Sequence, residues 1–120
     1  MSGTHSYPMP HGRYVWRSER LWLLTKDLPV KRVSIDRITE FDQNCWFRAG
    51  SAPTCRDIAK HAKRIIDADL SYPIILAADG HLMDGGHRIA KVWLSGAMEI
   101  DAVQFEVDPE PDWIEEDQNT

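Results

Sequence analysis

The residues best suited to chemistry in this chain lie side by side. Asp84, Gly85, Gly86, His87 and Arg88 form the run "DGGHR", just after Leu82-Met83 and just before the apolar-periodic run "IAKVWL". The order, strand then two glycines then helix, places the glycines where a helix begins. A helix N-terminus carries backbone N–H groups without intrahelical partners and a partial positive charge. Glycine lets a ligand approach that backbone closely, and together these features bind anions. His87 and Arg88 fall in the first turn, where a cation opposes the helix dipole. An arginine there is favourable once an anion neutralises it, and its planar fork matches phosphate. The same residues also fit a polar loop in which Asp84 caps the helix and Arg88 pairs with an acid. Residue types alone leave both readings open.

A second cationic feature lies upstream. In "TCRDIAKHAKRIIDADL", Thr54 is an N-cap with Asp57 three residues on, a partial capping box. Ile58, Ala62, Ile65 and Ile66 then form an apolar helical stripe. Arg56, Lys60, Lys63 and Arg64 repeat on the other side, as a solvated surface or as a phosphate- and nucleic-acid-contacting face. Cys45, Cys55 and His61 are the conceivable zinc set, but their spacing matches no common finger or ribbon; free thiols are the simpler reading.

Elements must hold these residues in place. Residues 1–13 mix Ser, Gly, Pro and His without periodicity and read as a disordered segment. "SERLWLLTKDL" predicts a helix carrying Leu21, Leu24 and Leu28, with Ser18 as N-cap and Pro29 as stop. "VKRVSI" predicts a short strand. "PIIL" is a continuous apolar run, as in a buried strand, and Asp79-Gly80 turns it back on itself. The helix after the glycines carries Ile89, Val92 and Trp93, and Gly96 ends it. "IDAVQFEV" predicts a closing strand with Val103, Phe105 and Val107 inward. The expected organisation is one α/β domain over 14–107, a small mixed sheet flanked by helices, with an acidic tail over 108–120.

The stretch from Tyr72 to Phe105, and more loosely from Val30 to Val107, resembles the ParB/sulfiredoxin-like superfamily, where a strand pair runs into a D-G-x-H-R or G-x-x-R motif at a helix start. The resemblance implies that Gly85, Gly86, His87 and Arg88 hold the phosphate of a nucleotide (ATP, ADP or CTP, with Mg²⁺) and that Asp84 lies near the metal or the reacting hydroxyl. It also implies a choice of chemistry. "DGGHR" is similar to the D-G-H-H-R pattern of a serine kinase of the superfamily, with Gly86 in place of the first histidine. Sulfiredoxin chemistry needs a cysteine where Gly86 stands, and ParB turnover needs a glutamate this run lacks.

Composition bounds the rest. The net charge is −5, yet no basic residue follows Lys91, and nine acids lie within 99–120. Residues 1–98 therefore hold 14 bases against 10 acids, mild positive charge that suits a phosphate-bearing ligand. No apolar run approaches the ~20 residues of a membrane span, and the N-terminus has no signal-like apolar core, so a soluble cytoplasmic protein is expected. Three functions follow. The first is nucleotide binding, with phosphoryl transfer or hydrolysis if Asp84, or Glu40 or Asp42, serves as base. The second is a DNA-binding or DNA-nicking module using the Arg56–Arg64 face. The third is a non-catalytic partner-binding protein of the same fold, using Trp46 and Phe47.

Overall fold

Ile74, Ile75 and Leu76 form a continuous apolar run because the sheet they enter is covered on both faces. Side chains alternate along a strand. Ile74 and Leu76 join a core with Ile35, Ile38, Ile89, Val92, Ile100 and Ala102. Ile75 joins a second core, on the other face, with Trp16, Leu21, Ala77, Met83, Val103 and Phe105. The computed structural model describes residues 3–47 and 50–116 and shows an α/β fold built of two small sheets and three helices.

The strands are β1 (Thr4–Met9), β2 (Gly12–Arg17), β3 (Lys31–Ser34), β4 (Ile74–Leu76), β5 (Leu82–Asp84), β6 (Glu99–Gln104) and β7 (Trp113–Glu116). The helices are α1 (Ser18–Leu24), α2 (Cys55–Asp67) and α3 (Gly86–Leu94), with 3₁₀ turns at Ile35–Arg37 and Thr39–Asp42. One sheet has the order β3-β6-β4-β5 and the other β1-β2-β7. The four-stranded sheet is mixed: β4 runs parallel to β6, and its other pairings are antiparallel. The 3₁₀ turns and α3 cover one face, while β2 and α1 supply Trp16 and Leu21 to the other. Among the described residues no helix is long and apolar enough to cross a membrane.

Several expectations need correction. The segment 1–13 is not disordered where it is described: β1 pairs with β2 from Thr4↔Arg17 to Met9↔Gly12. Its sequence lacks an apolar alternation because it is an edge strand, ordered by its neighbour. The segment 108–120 is not a loose tail either. β7 pairs with β2, and Trp113 sits opposite Val15. Its approach is pinned by polar contacts: the Trp16 indole N–H donates to the Pro109 carbonyl at 2.8 Å, Arg17 N to Asp112 Oδ2 at 2.7 Å, and Ala78 N to Asp108 Oδ1 at 2.8 Å. These acids accept backbone N–H groups that need partners. The parts of those expectations that fall on 1–2 and 117–120 lie outside the described residues.

Helix α1 starts at Ser18 with Arg17 as its N-cap, so Ser18 does not cap it. Val107 is 82% exposed because β6 ends at Gln104. The α2 stripe differs most. The Thr54 capping box is present, but Ile58 is 54% and Ile66 71% exposed. The helix is turned so that Asp57, His61 and Ile65 are its partly buried side. Lys91 on α3 fixes that setting, its ammonium donating to the Ile66 and Ala68 carbonyls at 2.8 Å each. A cation on the last turn of a helix satisfies carbonyls that have no other donor.

Candidate functional site

The run Asp84–Arg88 does join β5 to α3, as its sequence requires. Gly85 is the N-cap with φ +121°, a left-handed conformation only glycine adopts without strain. A Cβ there would also stand 2.5 Å from Ile74 Cγ2. No side chain caps α3 and no acid lies in its first turn, so its leading N–H groups and positive dipole end are left to another partner.

Arg88 is placed otherwise than a phosphate clamp. Its guanidinium donates to Asp84 Oδ2 at 2.6 Å, to the Pro73 carbonyl at 2.7 Å and to the Tyr72 carbonyl at 3.1 Å. The two side chains are 14% and 21% exposed. Asp84 Oδ2 accepts a second bond from the Trp22 indole N–H at 2.7 Å. The alternative of a paired arginine, left open by residue types, is the one observed: Arg88 ties the helix start to the chain entering β4. Asp84 is thus held through Oδ2 by two donors, with its charge balanced by Arg88.

Glu40 is engaged as well. Its Oε1 accepts from Leu82 N at 3.0 Å and its Oε2 from the Thr39 hydroxyl at 3.3 Å. The charges of Asp84 and Glu40 both act on His5, a residue that sequence reasoning left in a disordered segment. Burial, and then the neighbouring His81, lower its imidazole to about 4, against the opposing pull of Asp84 and Glu40. His81 Nδ1 bonds Asp79 Oδ1 at 2.7 Å, and its Nε2 is 3.3 Å from His5 Nε2, so one imidazole donates to the other.

The open ground lies on the other side of α3. His87 Nε2 is 2.8 Å from His61 Nδ1 on α2, so one imidazole donates to the other. Trp46 lies flat over both rings, with centroids 4.5 Å from His87 and 4.9 Å from His61 and planes within 4° and 8°. Gly86 admits the indole: a Cβ there would be 3.2 Å from Trp46 Nε1. Burial, then His61, then Arg64 push the His87 imidazole down to about 4. Burial, followed by Arg64, also lowers His61. The pair is therefore neutral at neutral pH, and an anion arriving beside it meets rings able to gain protons.

A cleft of about 260 Å³ opens beside Trp46 and His61, with Trp46, Phe47 and Pro53 on an apolar side and Lys60, Arg64, the neutral His61 and the Asp57 carboxylate on the other; among the described residues, its lining includes none of α3. The basic set on α2 is thus split. Lys60 and Arg64 line the cleft; Lys63 reaches Asp67 at 3.3 Å, and Arg56 is exposed. Cys45 and Cys55 are free and exposed. Burial, then Glu40, raise the Cys45 thiol, which donates to the Glu40 carbonyl at 3.3 Å. Cys45, Cys55 and His61 do not converge: among the described residues no three His, Cys, Asp or Glu side chains form a metal-binding group. Sequence reading missed the pairing of His61 with His87. The one hint was that His61 falls beside Asp57 on the face of α2 that the capping box begins.

In comparisons with known proteins, no family model, no curated protein and no solved structure matches this chain.

Proposed function

We propose that this domain binds a phosphate-bearing nucleotide in the cleft where the N-terminus of α3 meets the Lys60–Arg64 side of α2. The observation that carries the reading is the cleft itself: Lys60 and Arg64 line it beside Trp46 and Phe47, with Asp57 as the acid in its lining, and the uncapped start of α3 adjoins it through His87, whose ring meets His61 and Trp46. A helix N-terminus and two cations together favour an anion, and the Trp46–Phe47 side offers aromatic surface to a base. The likeness of "DGGHR" to the ParB/sulfiredoxin-like motif supports the same ligand class, ATP, ADP or CTP, and a cytoplasmic location goes with it. The roles within the motif shift, however. Backbone N–H groups at Gly86 and His87 and the charges of Lys60 and Arg64 hold phosphate; Arg88 holds the framework.

Binding is proposed, without turnover. Asp84 accepts two internal donors at Oδ2 and is paired with Arg88, and both Glu40 oxygens accept internal donors, so the residues present fit the phosphates better than they fit Mg²⁺. The ion would arrive on the nucleotide, as Mg²⁺ commonly does, held by phosphate oxygens and water. DNA is the weaker alternative, because the basic set on α2 does not form one free face: Lys63 is paired with Asp67, and Lys60 and Arg64 line the cleft beside Asp57.

Thermal shift with ATP, ADP, CTP and inorganic phosphate, each with and without Mg²⁺, tests the proposal. A ligand at a hundredfold excess over its Kd stabilises by about 2.7 kcal/mol. Lys60→Ala/Arg64→Ala should abolish the nucleotide shift and leave the apo melting point unchanged. No shift with any nucleotide at millimolar concentration, or an equal shift in the double variant, overturns it.

A further inference from the structure

The exposed stripe on α2 has a self-complementary pattern. Cys55, Ile58, Ala59, Ala62 and Ile66 are all exposed, and Ile66 at 71% is among the most exposed large apolar side chains described. At 3.6 residues per turn they share one side of the helix, about a third of the circumference away from Asp57, His61 and Ile65. The cleft and α3 therefore leave the stripe uncovered. Ile58 and Ile66 stand four residues to either side of Ala62, so the centre of the stripe, Ile58-Ala62-Ile66, reads alike in both directions, large-small-large.

We infer that this face of α2 pairs with the same face of a second copy, antiparallel, about a twofold axis at Ala62. In that register Ile58 of one copy packs on Ile66 of the other, and the small Ala62 side chains allow close approach at the crossing. Charge selects the direction. Arg56 near the N-terminus and Asp67 at the C-terminus lie on the same flank of the stripe. Antiparallel pairing brings Arg56 of each copy beside Asp67 of the other, a carboxylate that Lys63 of its own helix also reaches at 3.3 Å, and sets the N-terminal dipole end of each helix beside the other's C-terminal end. Parallel pairing brings the two like-charged N-termini together. A twofold contact of this kind uses one patch on both copies. The helix is only about 20 Å long, so the contact falls below the roughly 1,200–2,000 Å² of stable interfaces, and the dimer forms in a concentration-dependent way.

Sedimentation velocity over a concentration series tests this on the intact chain. The wild type should move from monomer to dimer as concentration rises, and Ile66→Glu should stay monomeric with an unchanged melting point. Arg56→Glu should weaken the dimer about tenfold, and Arg56→Glu/Asp67→Arg should restore it. Under oxidising conditions Cys55 should not link to Cys55, because the two stand roughly 20 Å apart in this register. A wild type monomeric at every concentration, a dimer that survives Ile66→Glu, failure of the charge exchange to restore it, or a Cys55–Cys55 disulfide each overturns the inference.

Discussion

Replacing Arg88 with alanine separates a framework arginine from a ligand-gripping one. The guanidinium makes three hydrogen bonds, to Asp84 Oδ2 and to the Pro73 and Tyr72 carbonyls. Its side chain is 14% exposed, and that of Asp84 21%. Arg88→Ala leaves the Asp84 carboxylate with the Trp22 indole as its remaining donor and strips both carbonyls of this one. Hydrogen bonds to charged groups contribute about 1.5–3 kcal/mol, and removing one member of a buried ion pair costs about 3–5 kcal/mol. Partial solvent access at Asp84 tempers the larger figure, so the expected loss is about 2–4 kcal/mol. For a chain of this length that lowers the melting point by roughly 6–20 °C. Urea denaturation followed by circular dichroism measures the loss directly, and the m-value shows whether unfolding stays two-state. Arg88→Lys should recover only part, because an ammonium cannot span three acceptors in the plane of a guanidinium. An alanine variant as stable as the wild type, or more stable, that lost nucleotide affinity would refute this reasoning and return Arg88 to the phosphate.

The two glycines should respond differently. Gly85→Ala meets Ile74 at 2.5 Å with φ at +121°, and should cost about 3 kcal/mol or more; a melting point within a few degrees of wild type would contradict the turn. Gly86→Ala has ordinary backbone geometry and 3.2 Å to Trp46 Nε1, so it should fold and shift the Trp46 emission, read as the difference from a Trp46→Phe control. Ending the chain at Val107 removes β7 and the acceptors of Trp16, Arg17 and Ala78. At about 1 kcal/mol per hydrogen bond, the truncated chain should lose at least 3 kcal/mol, and an unchanged melting point would make the segment an appendage after all. His5 and His87 both sit at about 4 when folded, below their value of about 6.5 when unfolded. The unfolded chain therefore binds more protons between those values, and stability should fall as pH drops from 7 to 5. His5→Gln and His87→Gln should each flatten that profile, whereas a flat wild-type profile would place both rings in water.

Much of the frame was written in local sequence. The Thr54-Asp57 box starts α2, and Asp79-Gly80 turns β4 into β5. The glycine pair sets the start of α3, because each of these rests on contacts within a few residues. The run Ile74-Ile75-Leu76 announced a strand buried on both sides. What local sequence does not carry is what lies opposite. β1 has no apolar alternation and is ordered by β2, and the segment after Val107 looks like a solvated tail until Arg17 and Ala78 are found donating to Asp112 and Asp108 and Trp16 to the Pro109 carbonyl. The α2 stripe had the right period for a core, yet period measures only that one side differs from another. Which side turns inward was decided by Lys91 reaching the Ile66 and Ala68 carbonyls and by His61 meeting His87. Arg88 shows the same division within the site. Its residue type suits both phosphate and carboxylate, and only the approach of Asp84, Tyr72 and Pro73 in three dimensions settles which acceptor it meets, since a guanidinium already holding internal acceptors has little left for a ligand.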